Sequence, residues 1–135
     1  MALGVVTRIT IALVVLLSAS CGFVRDKAVD GPYRLVAADV DEDTILCYSV
    51  EGGNCVGRVG ATVYAAGANA TYIVAVRHPK GNRNVTEYFY IVRSLDGPAV
   101  DPSVCVRGPF SSEDFVTESR RLGLPSISLV LNGLR

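Results

Sequence analysis

Short runs of alternating or doubly apolar residues follow one another along the chain, and Gly, Asn, Asp or Pro separates each run from the next. This spacing predicts antiparallel strands joined by turns. The runs lie at 33–38, 44–50, 55–59, 61–66, 71–78, 86–93 and 126–131, with 55–59 the weakest. The pattern therefore predicts an antiparallel sheet of about six strands.

The clearest hairpin consists of residues 71–78 and 86–93. Both runs carry apolar side chains at odd and at even positions, so both faces of each strand are apolar. A strand of this kind belongs in the middle of a sheet that is covered on both sides. We expect these two strands to lie at the centre of the fold.

One helix is predicted near the end of the chain, between Ser111 and Gly123. Hydroxyl and acidic residues open it and Arg120 and Arg121 close it, which matches capping preferences and the helix dipole. Its expected buried stripe consists of Phe115, Val116 and Leu122. The predicted fold class is therefore α+β, a sheet of about six strands with one C-terminal helix; the alternative is an all-β barrel or sandwich.

Composition restricts the class of protein. The chain has 135 residues, 50% hydrophobic and 19% charged, which suits one globular domain. Its 13 Lys and Arg residues balance 13 Asp and Glu residues, and no basic cluster stands out. Nucleic acid is therefore not an expected partner.

The first 20 residues have the layout of a secretory signal peptide. Arg8 precedes a nine-residue apolar stretch, 9–17, and small residues follow it. Nine residues are too few to cross a bilayer, which takes about 20. Residues 1–20 are therefore predicted to be removed; the alternative is an uncleaved membrane anchor beginning near Leu3.

The segment Leu17-Ser18-Ala19-Ser20-Cys21 resembles the lipobox of bacterial lipoproteins. The resemblance implies a lipid on Cys21, with palmitate among its acyl chains, and Cys21 as the first mature residue. It departs from the family where Ser18 replaces the usual aliphatic residue, so cleavage without lipidation is the alternative. We expect a lipid-anchored tether at 21–31 and a single globular β-rich domain at 32–135.

The remaining cysteines are Cys47, Cys55 and Cys105, and cysteines outside the cytoplasm tend to pair. Cys47 and Cys55 are the favoured disulfide, with Cys105 as an alternative partner. A two-residue turn at Gly52 and Gly53 would place the first two sulfurs on opposite faces. Only a wider loop allows that pairing.

Candidate chemistry is sparse. His78 is the only histidine and no nucleophile elbow accompanies it; the acidic run 39–43 lacks the remaining ligands of an EF-hand. Alternating tyrosines would either hold a sugar or pack in the core: Tyr48, Tyr64, Tyr72, Tyr88 and Tyr90. We assign no catalytic residue, no metal site and no cofactor.

Beyond the lipobox, runs such as Gly31-Pro32-Tyr33 and Leu46-Cys47-Tyr48 are similar to those of small bacterial lipoproteins of unknown function. That resemblance implies a cell-envelope location, membrane-anchored on the periplasmic or extracellular face. The leading hypothesis is a non-enzymatic module that binds an envelope protein or a glycan. The alternatives are an inhibitor of an attacking hydrolase such as lysozyme and a hydrolytic enzyme that uses His78.

Overall fold

The computed structural model describes residues 22–135. The predicted signal peptide and Cys21 lie outside the described residues. Nine strands form two antiparallel sheets, a four-stranded sheet in the order β1-β2-β3-β4 and a five-stranded sheet in the order β8-β7-β6-β5-β9. The strands are β1 (Arg25–Asp30), β2 (Tyr33–Ala37), β3 (Ile45–Ser49), β4 (Cys55–Val59), β5 (Val63–Ala68), β6 (Tyr72–Arg77), β7 (Glu87–Val92), β8 (Val106–Phe110) and β9 (Leu129–Val130). The helices are α1 (Pro102–Cys105) and α2 (Ser112–Leu122).

The antiparallel character of the fold and the C-terminal helix are confirmed. The expected single sheet of about six strands is replaced by two sheets, because the chain leaves the four-stranded sheet after β4 and begins the five-stranded sheet at β5. Strands β2 to β7 lie where the alternation placed them, whereas the predicted strand at 126–131 shrinks to the two residues of β9.

The structure contains two strands that the sequence pattern does not predict, β1 and β8. Strand β1 pairs with β2, with Arg25 opposite Ala37, and it lies inside the range 21–31 that was expected to be a tether. Its sequence is mostly charged and its side chains are mostly exposed, so it has no apolar alternation to detect. Strand β8 pairs with β7 and includes Gly108 and Pro109, residues that normally indicate a turn.

The main core contains residues of both sheets. Leu35 and Leu46 of the four-stranded sheet belong to one buried cluster with Ile73, Phe89 and Ile91 of the five-stranded sheet, and four of these five side chains are fully buried. Strands β6 and β7 pair in register, with Ile73 opposite Ile91. Their predicted central position is confirmed, since each has a neighbouring strand on both sides.

A second buried cluster lies beneath α2. Phe115 of the helix packs with Val74 and Tyr90, which occupy the alternate positions of β6 and β7, and Leu122 joins the edge of this cluster. The Ser111 hydroxyl accepts a hydrogen bond from the Asp114 amide at the helix start, and Gly123 closes the helix in the left-handed conformation. Val116 is exposed, so its predicted place in the buried stripe is wrong.

The segment that follows α2 passes very close to β5. A Cβ atom on Gly67 would collide with the backbone carbonyl oxygen of Ser126. Glycine is required at this position because the two backbones approach each other without room for a side chain.

Within residues 22–135, no helix has the length and apolar character needed to cross a bilayer.

Candidate functional site

A shallow and open cleft of about 880 Å³ lies at the end of the four-stranded sheet where β2 starts and β3 finishes. We call it the apolar cleft, because most of its lining is apolar and the only polar lining residues are Ser49 and Glu51. The apolar lining residues are Pro32, Tyr48, Val50, Val56, Pro98 and Ala99. A concave, mainly apolar surface with few polar groups is the usual form of a binding site.

A disulfide between Cys47 and Cys55 closes the loop that forms one wall of the apolar cleft. Strand β4 pairs so that Cys55 lies opposite Ser49 and Cys47 lies opposite Gly57, which puts both cysteines on one face of the sheet. Their Cα atoms are 5.6 Å apart, within the range that a disulfide spans. The predicted pairing is therefore present in the structure.

The connection between these cysteines is the wider loop that the pairing requires. The amide of Val50 donates to the carbonyl oxygen of Asn54, and a 3₁₀ turn over Glu51–Gly53 lies between them. Gly52 and Gly53 have φ angles of 77° and 76°. Residues with side chains rarely adopt such angles, so the two glycines allow the tight turn.

The opposite wall of the apolar cleft is held by a buried ion pair between Arg58 of β4 and Asp96. Both side chains are fully buried, and an Arg58 Nη lies 2.9 Å from Asp96 Oδ1. The other Asp96 oxygen accepts a hydrogen bond from the Tyr33 hydroxyl at 2.8 Å. Arg58 also donates to the carbonyl oxygen of Gly97 at 2.8 Å, which fixes the chain just before Pro98.

Hydrogen bonding decides the charge state of Asp96. Burial alone would raise the pKa of its carboxyl group, but hydrogen bonds from Arg58, Tyr33 and the Gly97 amide outweigh burial and lower the pKa below its ordinary value. The same carboxylate, together with burial, raises the pKa of the Tyr33 hydroxyl. Asp96 is therefore ionised and Tyr33 is neutral at physiological pH.

The guanidinium of Arg58 connects this ion pair to the cleft surface. Its central carbon lies 5.4 Å from the centre of the Tyr48 ring, and Tyr48 lines the cleft. Tyr33 meets the same ring edge to face, with 5.4 Å between ring centres. Both contacts fix the orientation of Tyr48, so the aromatic surface of the cleft is already in place before any ligand binds.

Cys105 is a free thiol in α1 and is fully buried, so the alternative pairing with Cys105 is not formed. Burial and the nearby negative charge of Asp96 raise the pKa of this thiol to about 11. A thiol with such a pKa holds its proton at neutral pH and reacts slowly.

His78 directly follows strand β6 and is buried. Its Nδ1 is 2.8 Å from the carbonyl oxygen of Val85, and its ring stacks on Tyr64 with 4.5 Å between centres. Since a carbonyl oxygen only accepts, Nδ1 is the protonated nitrogen. Nε2 has no hydrogen-bond partner in the described part of the chain. His78 lines a surface pocket together with Glu42 and Thr62, but among the described residues the Glu42 carboxylate pairs with Arg83 and the Thr62 hydroxyl donates to the carbonyl oxygen of Glu42, so neither side chain is hydrogen-bonded to the imidazole.

Within the acidic run 39–43, residues Asp41–Asp43 form a 3₁₀ turn, and each of these three acids is held by a cation from elsewhere in the chain. Arg25 pairs with Asp41, Arg83 with Glu42, and Lys80 with Asp43. Among residues 22–135, no three His, Cys, Asp or Glu side chains are grouped to hold a metal ion.

The alternating tyrosines pack against other side chains, although Tyr48 also lines the apolar cleft. Tyr88 stacks on Phe115 with 4.9 Å between ring centres, and Tyr90 stacks on Phe110 at 5.6 Å. Tyr48, Tyr64 and Tyr72 are also buried or half-buried. The strands therefore do not present a row of exposed tyrosines to a sugar.

No protein-family model, curated protein or solved structure matches this chain.

Proposed function

We propose that this protein is a lipid-anchored binding module of the bacterial cell envelope, which holds a segment of a partner protein in its apolar cleft. The anchor is proposed from the signal-like segment 1–20 and from Cys21 in its lipobox-like setting. The observation that carries the binding role is the preformed cleft, whose two walls are fixed by the Cys47–Cys55 disulfide and the Arg58–Asp96 ion pair. A surface fixed before binding loses little conformational entropy when a ligand arrives.

The lining of the apolar cleft indicates the chemistry of the partner. Tyr48, Val50 and Val56 offer apolar area, and Glu51 is an exposed acidic residue at the rim. The complement to such a surface is a peptide segment with an apolar side chain that fills the cleft and a Lys or Arg that reaches Glu51. A glycan would need more polar groups than Ser49 and Glu51 supply.

The position of the cleft relative to the proposed anchor supports this role. The chain enters the four-stranded sheet at Arg25, opposite Ala37, whereas the apolar cleft lies at the Tyr33 end of the same β2 strand. The five residues of β2 separate the two ends by about 13 Å at 3.3 Å per residue. The point where an anchored chain would enter the sheet therefore does not occupy the cleft.

We also infer the finer fold class, a β-sandwich with α2 on its outer side. Support comes from the main buried cluster, which draws residues from both sheets, and from the second cluster, which joins α2 to the other face of the five-stranded sheet.

Lipidation is tested by labelling with a palmitate analogue in a bacterial host, beside the Cys21→Ser variant as the control. We expect the label on the parent chain and not on the variant, together with a change in mass after removal of residues 1–20. An unlabelled parent chain that stays in the aqueous phase contradicts the anchor.

Binding is tested with a photo-crosslinking amino acid at Val56 in the apolar cleft, and at Val116 on α2 as an exposed control of the same residue type. We expect a discrete cross-linked protein from position 56 that is absent from position 116. Tyr48→Ala should remove it, and Glu51→Gln should weaken it. Equal products from both positions, or none from position 56, contradict the proposal.

A further inference from the structure

Three exposed apolar side chains, Phe23, Val24 and Val40, lie at the end of the molecule where the described chain begins. Their exposed fractions are 37%, 58% and 51%. We call them the anchor-end patch. Isolated exposed apolar residues are common, so the position of these three is what requires an explanation.

Several contacts hold the patch residues in one place. The amide of Val24 donates to the carbonyl oxygen of Ala37 at 2.9 Å, and Arg25 forms an ion pair with Asp41 at 3.0 Å. These contacts join the start of the described chain to the β2–β3 connection, on which Val40 lies. Phe23 lines a surface depression with Ala38 and Asp39 of that same connection, and the other side of the depression is formed by Gly52, Gly53 and Asn54 of the disulfide loop.

The charges around the patch are largely balanced. The three acids of the adjacent turn are each paired with a cation, as described above, which leaves Asp39 as the acid of the run 39–43 without an ion-pair partner among the described residues. A strongly acidic turn would be repelled by a negatively charged bilayer surface. Pairing weakens that repulsion.

Chain length determines what the patch can meet. Only residues 22–24 separate Cys21 from strand β1, and three residues span at most about 10 Å. If Cys21 carries acyl chains in the bilayer, Phe23 and Val24 are held within about that distance of the headgroups. Apolar side chains this close to the headgroups can enter the interfacial layer, which lowers the free energy of the membrane-bound state. They therefore add to the membrane affinity that the acyl chains supply.

We propose that the anchor-end patch contacts the lipid bilayer and fixes the orientation of the domain, with Phe23, Val24 and Val40 in the interfacial layer. This inference rests on the proposed lipid anchor at Cys21. It goes beyond the anchor because a tether alone limits the distance of the domain from the membrane but does not fix its orientation.

The chain contains no tryptophan, so a single introduced Trp reports on its own position. The test uses the full processed protein in vesicles of phosphatidylcholine and phosphatidylglycerol, with and without bromine on the acyl chains, which quenches nearby Trp. Val40→Trp probes the patch, and Val104→Trp on α1 is the matched control, since the two valines are 51% and 49% exposed. Val24→Trp is a second probe.

We expect brominated lipid to quench the Trp at positions 24 and 40 several-fold more than the Trp at position 104, with blue-shifted emission only at the first two. Equal quenching at positions 40 and 104, or none at 24 and 40, overturns the orientation. Vesicle flotation of the same samples separates the two proposals. A protein that floats with unquenched Trp at 24 and 40 retains its anchor and refutes only the patch contact, whereas a protein that does not float refutes both.

Discussion

The two ends of the four-stranded sheet use opposite charges in different ways. At the cleft end, Arg58 and Asp96 are fully buried and share hydrogen bonds with Tyr33 and Gly97. At the anchor end, the ion pairs of the acidic turn 39–43 are exposed to solvent on at least one side. A buried pair fixes the position of its loop, because breaking the pair leaves a charge out of water, whereas exposed pairs mainly balance charge.

The largest effect is expected from breaking the buried pair. Arg58→Ala should lower the free energy of unfolding by about 3 to 5 kcal/mol, because the ionised Asp96 would stay buried without its cation. Urea unfolding followed by circular dichroism measures the loss. Arg34→Ala, which breaks the partly exposed pair with Asp26, is the control and should cost at most about 1 kcal/mol. Similar losses of stability for both variants would contradict the proposed difference between buried and exposed ion pairs.

The disulfide is the other constraint at the cleft end. Replacing both Cys47 and Cys55 with Ala should lower the free energy of unfolding by about 2.5 kcal/mol. The disulfide restricts the unfolded chain by closing a short loop, and its removal gives the unfolded chain that conformational entropy back. The same urea experiment measures it. Cross-linking from position 56 should also decline, since the wall formed by Tyr48 and Val50 would no longer be held. An unchanged stability after removal of both sulfurs would show that the loop is fixed without the bond.

Part of the contribution of Asp96 to the free energy of unfolding should depend on pH. Its pKa is lower in the folded state than the ordinary 3.8, so the unfolded state takes up the proton first as the pH falls. The stabilisation is therefore complete above about pH 5 and is lost as the pH falls through the folded pKa. The stability difference between the parent chain and Asp96→Asn should narrow in that acidic range. A difference that is constant from pH 7 to strong acid would contradict this.

The smallest effect is expected at the anchor end. Asp41→Asn removes the charge that pairs with Arg25 and should change the free energy of unfolding by about 0 to 1 kcal/mol. Added salt should shrink this difference further, because screening weakens exposed pairs more than buried ones. Chemical unfolding at low and high salt provides the measurement. A loss as large as that of Arg58→Ala would mean that the acidic turn is also structurally essential.

Local patterns account for the elements that the sequence predicted. Strands β6 and β7 are apolar on both faces, and central strands in covered sheets need that pattern. Helix α2 has its Ser111 cap and acidic first turn at one end and its final Gly123 at the other, and each signal is local to its own end of the helix. The prediction that a wide loop is needed for Cys47 to reach Cys55 follows from strand alternation alone, and the structure confirms it.

The features that the sequence did not predict depend on distant partners. Arg58 and Asp96 are separated by 38 residues, and a single Arg within a strand looks like an exposed edge residue until its carboxylate is located. The move from β4 in one sheet to β5 in the other has no local signal, since a short link also joins strands within one sheet. Val116 was misplaced because it neighbours Phe115 in sequence but lies about 100° away around the helix.

Charged residues also mark β1, one of the two edge strands of the four-stranded sheet. Strand β1 has a neighbour on one side only, and four of its six residues are charged: Arg25, Asp26, Lys27 and Asp30. A flat apolar border would invite another polypeptide to extend the sheet, which is how many proteins begin to aggregate. A second copy aligned along β1 would instead have to remove part of the hydration of these charged side chains. The same residues that hide β1 from pattern recognition thus discourage the folded molecule from polymerising.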